Sequence, residues 1–391
     1  MRSRKSPTMT PTADSSAMDS PYRYRRIVAK AGSSLLTRDG GQLNSDVMDA
    51  LVQQIAQLHQ SGAEVMLVSS GAVAAGRQVL GVPQEGKNLP FRQVLAAVGQ
   101  GHLIHAYEQS FRPYNIPVAQ ALLSRRDLSD RLGYLNIRNT LLGLLDHRVV
   151  PIINENDVVA VEELTGELFG DNDTLSAMVA NLVDADLLVM LGEIEGLFTS
   201  DPNLNPDAHL IPVVERFDEE IETLGGPSWG NKGRGGMATK LDAARLATAS
   251  GVNVAIASGL ERNVLPRLAE GESIGTFFPS STTKMESRKR WMLSGLSTRG
   301  EILVDQGAVG ALRYRNRSLL PAGVTEVVGA FERGDIVAVL DASRAQIACG
   351  ITNYSSQDLA EIKGIRSDRI QELLGRQFGD EVVHRSNMVI L

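Results

Sequence analysis

Two lysines sit in glycine-marked segments: Lys30 opens Lys30-Ala31-Gly32-Ser33, and Lys240 closes Gly230-Asn231-Lys232-Gly233-Arg234-Gly235-Gly236-Met237-Ala238-Thr239-Lys240. Between them lie three polar segments, Ser69-Ser70-Gly71-Ala72, Asn154-Glu155-Asn156-Asp157 and Gly170-Asp171-Asn172-Asp173. Glycine lets backbone N–H groups approach an anion closely, and a helix N-terminus behind such a loop adds partial positive charge. Lysines placed there suit phosphate. Asp157, Asp171 and Asp173 suit a hard cation, a ligand ammonium or the orientation of a lysine, and they equally suit plain turn and cap roles. The glycine-crowded loop lacks the Gly-Lys pair of a Walker A loop. No G-x-G-x-x-G opens a helix after the first strand, so a dinucleotide-binding fold has no support. His102 and His105, three apart on a helical stretch, have no third ligand nearby in sequence and read as surface or core-packing residues rather than metal ligands.

These segments share a position: each polar turn follows a run that reads as a strand. Arg26–Ala29 ends at Lys30, and Val65–Val68 is a continuous apolar run that ends at Ser69. Such runs mark strands buried on both faces. The same grammar recurs at Val149–Ile153, Leu187–Leu191 and Val252–Ala257. Helical stretches fall between them. From Asn44 to His59, the residues Val47, Leu51, Val52, Ile55 and Leu58 keep a helical spacing, with Asn44 or Ser45 as cap and Gly62 just past the end. The alternation predicts an α/β fold, a mostly parallel three-layer αβα sheet. Ligands of open α/β sheets bind outside the carboxyl ends of the strands, where all of these segments fall.

The pattern changes after about Lys284. Ile302–Val304, Glu326–Val328, Ile336–Leu340 and Ile347-Ala348 are short runs separated by Gly, Asp and Pro, and they predict a small mixed or barrel-like β domain. The charged segment Glu286–Trp291 suits the join. Arg313, Arg315 and Arg317, with Tyr314 among them, read as alternating along a strand, which would place the arginines on one solvated face. Met1 to Tyr22 is rich in Ser, Thr and Pro without apolar periodicity, and reads as a disordered tail. Lone Cys349 lies in a β-like run and reads as a buried small side chain, and it excludes an intramolecular disulfide framework.

The chain has 391 residues, with 39 basic and 46 acidic side chains and a formal net charge of -7. At about 150 residues per domain this suggests two or three domains. The charge excludes a chain-wide nucleic-acid footprint. No stretch approaches the length of about 18 apolar residues that a bilayer span requires. The expectation is a cytoplasmic, multi-domain enzyme.

Taken together and in order, the motifs resemble the amino-acid kinase family. They are Lys30-x-Gly-Ser, Val68-Ser-Ser-Gly-Ala72, Ile153-Asn-Glu-Asn-Asp157, Gly170-Asp-Asn-Asp-x-Leu-Ser-Ala177 and Gly235-Gly-Met-x-Thr-Lys240. Within that family they are most similar to the members that phosphorylate the side chain of glutamate. Residues from about Arg299 to Leu391 resemble a PUA domain. The resemblance implies a tail at 1–22, a kinase domain at 23–285 and a PUA domain at 299–391. It implies transfer of the γ-phosphoryl group of ATP to the side-chain carboxylate of L-glutamate, giving L-glutamyl 5-phosphate, the first step of L-proline biosynthesis. Lys30, Lys240 and Asp173 would be catalytic. Ser70, Gly71, Asn154, Asp157 and Asn172 would hold glutamate, Asp157 facing its ammonium. Lys30, Leu191, Gly192, Arg234, Gly235, Gly236, Met237, Ala238, Thr239 and Lys240 would hold the nucleotide, with Mg²⁺ across its phosphates. The resemblance further implies proline as feedback inhibitor, a homo-oligomer (dimer or tetramer) and hand-off of product to glutamyl phosphate reductase. PUA domains in other proteins often bind RNA, but the solvated-face reading of Arg313, Arg315 and Arg317 argues against RNA here, and the lack of an apolar span argues against a membrane partner.

Three positions depart from the family pattern. Leu191-Gly192-Glu193 stands where a hydroxyl residue followed by Asp is common, Arg234 where a small hydroxyl residue is common, and Ala31 where a larger apolar residue is common. Residue chemistry alone reaches an ATP-dependent kinase of a small anion. The alternatives are a relative acting on another small substrate, such as aspartate, acetylglutamate, carbamate or UMP, and an RNA-binding protein with a kinase-like sensor domain.

Overall fold

The continuous apolar runs form the middle of a seven-stranded sheet. The computed structural model describes residues 22–38, 41–82, 89–159, 172–224, 236–283, 298–315 and 317–391. Its first sheet comprises β1 (Arg26–Ala31), β2 (Glu64–Ser69), β3 (Val118–Leu123), β4 (Val150–Glu155), β5 (Leu187–Gly192), β6 (Asn253–Ser258) and β7 (Thr276–Phe278), in the order β3-β4-β2-β1-β5-β6-β7. All neighbours are parallel except the short edge strand β7, which runs antiparallel to β6.

Strand pleating sends alternate residues to opposite faces. Ile27, Ala29, Val65, Leu67, Leu187 and Val189 enter one core, and Val28, Met66, Val68, Leu188 and Met190 enter the other. Helices α1 (Ser33–Leu36), α2 (Ser45–Gln60), α3 (Ala72–Leu80), α4 (Leu89–Phe111), α5 (Arg125–Ser129), α6 (Arg131–Asp146), α7 (Asn172–Leu182), α8 (Glu219–Leu224), α9 (Met237–Thr248) and α10 (Val264–Glu270) connect the strands. α2, α4 and α10 cover the first face, while α6, α7 and α9 cover the second. The result is the three-layer αβα sheet that the alternation predicts. Asn44 caps α2 through its side chain, which accepts from the Val47 N–H. Tyr22, which the sequence groups with the tail, is buried in the first core.

A second, five-stranded sheet follows, made of β8 (Gly300–Val304), β9 (Val324–Val328), β10 (Ile336–Leu340), β11 (Gln346–Ile351) and β12 (Met388–Ile390), in the order β12-β11-β10-β8-β9. β8 and β10 are parallel and the remaining pairs antiparallel, so the sheet is mixed. Helices α11 (Gln306–Arg315), α12 (Ser356–Ile362) and α13 (Ile370–Leu374) belong to the same unit.

Here the structure corrects one reading. Arg313 and Arg315 lie on helix α11 and not on a strand. The Asp305 side chain accepts from the Ala308 N–H at 2.7 Å and starts the helix, while Val309 and Leu312, three apart, anchor it in the core. Arg313, Arg315 and Arg317 are exposed, as is Tyr314 at 82%. The charged join Glu286–Trp291 and Asp171 lie outside the described residues.

The two units meet along α6. Leu135 and Tyr134 pack on Ile336, Cys349, Ile351 and Val389 of the second sheet. Among the described residues no helix is long and apolar enough to cross a membrane.

Candidate active site

Sheet order reverses direction at β1: β2 lies on one side and β5 on the other. Loops leaving neighbouring strands there part to opposite faces and open a crevice. The ends of β1, β2, β4 and β5 carry Lys30, Ser70, Asn154 and Gly192 to that edge. Helices α7 and α9 bring Asp173 and Lys240 from the second face.

Asp173 is the hub. It is 0% exposed; its Oδ1 lies 2.5 Å from Lys30 Nζ, and its Oδ2 accepts from Lys240 Nζ at 3.0 Å and from Thr239 Oγ1 at 2.9 Å. Burial by itself pushes the Asp173 carboxyl up, but the charges and hydrogen bonds of Lys30 and Lys240 outweigh it and hold the group well below the usual carboxylate range. Lys30 is itself 3% exposed. A buried cation requires a counter-charge, and one carboxylate serves two here. Both ammonium groups are thereby held side by side at the ends of β1 and α9.

Lys240 does not close a loop, as the sequence suggests. It lies in the first turn of α9, which starts at Met237 with Gly236 as N-cap and no side-chain cap. The first N–H groups of a helix have no partner within it, so this terminus presents donors and partial positive charge beside Lys240. Met237 has its side chain in the core, leaving its backbone for a ligand. Leu191 is likewise a core side chain, and its carbonyl accepts from the Gly32 N–H at 3.3 Å. A Cβ at Gly192 would lie 3.8 Å from Lys240 Cε. The departure at Leu191-Gly192 thus borders the lysine and leaves it room. Glu193 is exposed. Arg234 and Gly235 lie outside the described residues.

A second, polar cluster adjoins the hub because Asn172 precedes Asp173. Asn172 Nδ2 donates to Ser70 Oγ at 2.9 Å and to Asn154 Oδ1 at 3.1 Å. Its Oδ1 is buried with no hydrogen-bond partner among the described residues. A buried acceptor of this kind is ready for a ligand donor. Gly71 follows Ser70 in the left-handed region at φ 114 and N-caps α3, a conformation that glycine adopts at no steric cost. Asp157 follows β4, three residues past Asn154; its backbone carbonyl accepts from Gln93 Nε2 at 3.1 Å. Burial pushes its carboxyl up, and Arg92 only partly opposes this.

Sequence reasoning missed several supports. Gln100 Oε1 accepts from Asn154 Nδ2 at 2.8 Å, and Tyr107 shares a 2.7 Å hydrogen bond with Ser69 Oγ. Both sit within the long helix α4, where no motif marks them. Thr239 was expected at the nucleotide, and its hydroxyl is on Asp173. His102 and His105 are exposed, and among the described residues no group of three or more His, Cys, Asp or Glu gathers as a metal site.

A site with two lysines, one carboxylate and a helix N-terminus can gather phosphates and screen their charge. The amide and hydroxyl cluster beside it can orient a small polar acceptor.

Residues 25–258 match the amino acid kinase family and residues 300–374 match the PUA domain. The chain is 53% identical over 368 residues to a glutamate 5-kinase of Dehalococcoides mccartyi, covering 94% of this chain and 99% of that protein. It is 50% identical over 366 residues to one of Herpetosiphon aurantiacus, covering 94% and 98%. It is 47% identical over 366 residues to one of Caldanaerobacter subterraneus, also covering 94% and 98%. The chain belongs to the amino acid kinase family, in its glutamate 5-kinase branch with a C-terminal PUA domain.

Proposed function

We propose that this chain transfers the γ-phosphoryl group of ATP to the side-chain carboxylate of L-glutamate, giving L-glutamyl 5-phosphate and ADP. The observation that carries the reading is the buried Asp173 bridging Lys30 and Lys240, with Asn172 beside it facing Ser70 and Asn154. A glutamate carboxylate, with a pKa of about 4.3, is ionised at neutral pH and needs no general base. The remaining task is to bring two anions into line and to spread charge as the phosphoryl group moves. Lys30 and Lys240 serve that purpose, and Asp173 holds both at fixed separation. Ser70, Gly71, Asn154 and Asn172 orient glutamate, and Asp157 supplies the counter-charge for its ammonium. The α9 N-terminus, Arg234 to Thr239 and the backbone at Leu191-Gly192 receive the nucleotide.

Asp173 is already engaged by two lysines and a threonine, so Mg²⁺ fits as an ion carried on the nucleotide phosphates. Bound there, it neutralises phosphate charge while keeping several of its waters. We place the kinase domain at 23–285 and the PUA domain at 299–391. The reading extends to a place in L-proline biosynthesis, feedback inhibition by proline, assembly as a dimer or tetramer, and delivery of the labile acyl phosphate to glutamyl phosphate reductase.

The test is ADP release from MgATP with L-glutamate and hydroxylamine, which traps the acyl phosphate as a hydroxamate. Aspartate and acetylglutamate run in parallel, with Lys240→Ala as control. Glutamate-dependent hydroxamate that vanishes in the variant is expected. Turnover with another carboxylate, and none with glutamate, would overturn the substrate.

A further inference from the structure

Arg138 is 1% exposed and stands among the largest fully buried side chains of the molecule. It belongs to α6, on the seam between the two units, and makes three hydrogen bonds to two other chain segments. Its Nη2 donates to Asp184 Oδ2 at 2.5 Å and to the Ser386 carbonyl at 3.1 Å. Its Nε donates to Asn387 Oδ1 at 2.6 Å. Ser386 and Asn387 form the turn that leads into β12 of the second sheet.

Asp184 ends the helix that carries the site. It lies two residues past α7, in the left-handed conformation at φ 52, and the Ala185 N–H closes the helix on the Ala180 carbonyl at 2.8 Å. A carboxylate at a helix C-terminus faces the negative end of the dipole. The Arg138 guanidinium offsets that repulsion and is held in turn by the second unit. At the other end of α7, 11 residues long, are Asn172 and Asp173. At 1.5 Å per residue these ends are roughly 16 Å apart. The face between them, Leu175, Ala177, Val179, Ala180 and Leu182, is buried in the core. Close-packed interiors transmit displacement rather than absorb it. An apolar residue of similar volume would hold two surfaces together as well as a buried ion pair does. A forked, directional contact fixes where the helix end sits.

We propose that Arg138 is a positioning residue for phosphoryl transfer, tying the PUA-domain turn at Ser386-Asn387 to the rear of α7, whose front carries Asn172 and Asp173. The C-terminal domain thereby sets the placement of the glutamate clamp and of the lysine hub. The inference rests on the site roles given above for Asn172 and Asp173.

The experiment uses the full-length chain. Arg138→Lys keeps the charge but cannot span Asp184 and Asn387 together, and Asn387→Ala removes one acceptor from the PUA side. Arg333→Ala is the control: Arg333 Nη2 donates across the same seam to Asn136 Oδ1 at 2.7 Å without reaching Asp184. Steady-state kinetics and amide hydrogen exchange of the 172–182 segment are measured on each. Arg138→Lys is expected to lower kcat/KM for glutamate on the order of tenfold to a hundredfold, the effect of a small misplacement at a reacting site. Exchange at the start of α7 accelerates in the same variant. Asn387→Ala moves both readouts in the same direction by less, and decides the matter if Arg138→Lys does not fold. Arg333→Ala leaves both within about twofold, because its contact with Asn136 does not reach α7. Lowered thermal stability with unchanged kinetics and unchanged α7 exchange would show that Arg138 merely holds the domains together. Asp173→Asn in the same series separates the two ideas: if it stays active, the site reading itself fails.

Discussion

Asp173→Asn tests the hub most directly. Among the described residues the carboxylate's two oxygens meet Lys30 Nζ at 2.5 Å, Lys240 Nζ at 3.0 Å and Thr239 Oγ1 at 2.9 Å. A carboxamide offers one oxygen and turns its NH₂ toward an ammonium, so at least one lysine loses its acceptor. Removing one partner from a buried pair costs about 3–5 kcal/mol of stability. The linkage has a definite sign. A carboxylate held below its unfolded pKa adds stability at neutral pH, and that stability fades as pH falls through the folded pKa. The wild type should thus lose stability into strong acid faster than the variant does. Phosphates can replace the missing negative charge, so thermal stabilisation by MgATP should be larger in the variant than in the wild type. Catalysis behaves oppositely: with the lysines free to pair with ground-state phosphate, kcat falls on the order of 10²–10³ without a rise in the KM for ATP. Hydroxamate formation gives kcat and KM, and thermal melts with and without MgATP give the rest. A kcat within a few-fold of wild type, or a loss confined to the KM for ATP, would refute the role of Asp173 as the holder of both lysines.

Two further outcomes follow from the same geometry. Burial raises the pKa of Asp157, so its ionised form costs stability at pH above that value, and the cost disappears below the unfolded pKa. Asp157→Asn should leave the free protein as stable as wild type or more so at neutral pH, while raising the KM for glutamate by tenfold or more, on the order expected for a lost charged hydrogen bond. In the wild type the same KM should climb as pH falls through the folded pKa of Asp157, and a flat profile would remove Asp157 from the ammonium site. Gly71→Ala places a Cβ at φ 114 and 3.2 Å from Leu43 Cδ2. The left-handed strain alone costs about 1–2 kcal/mol, read as a lower melting temperature together with weaker glutamate binding.

Much of the site was legible because its residues sit in local punctuation. Lys30, Ser70, Asn154 and Gly192 each end a strand whose apolar run is continuous, and a chain that buries both strand faces can turn polar only at the ends. Asn172 and Asp173 were legible as a motif, and their partners were not. Nothing near Thr239 says that its hydroxyl lies on Asp173, a separation of 66 residues. Gln100 and Tyr107 lie inside a helix that is apolar on several sides, where one polar residue looks like another. The arginines at 313 and 315 misled because alternation over a few residues fits a strand and the exposed end of a helix alike. Val309 and Leu312 settle the matter only through the core they enter.

By itself, the amino-acid sequence determined the alternation of strands and helices, the change to a small β unit after Lys284, the loops that hold the chemistry and the charges within them. These depend on hydrophobic period and turn chemistry, which act over a few residues. Tertiary structure decided which loops face one another. Strand order placed β1 between β2 and β5, which set Lys30 opposite α7 and α9 and gave two lysines one carboxylate. It also set Arg138 against Asn387, 249 residues away. Contacts of that range cost loop-closure entropy and are repaid only by packing of the whole chain, so no local pattern records them.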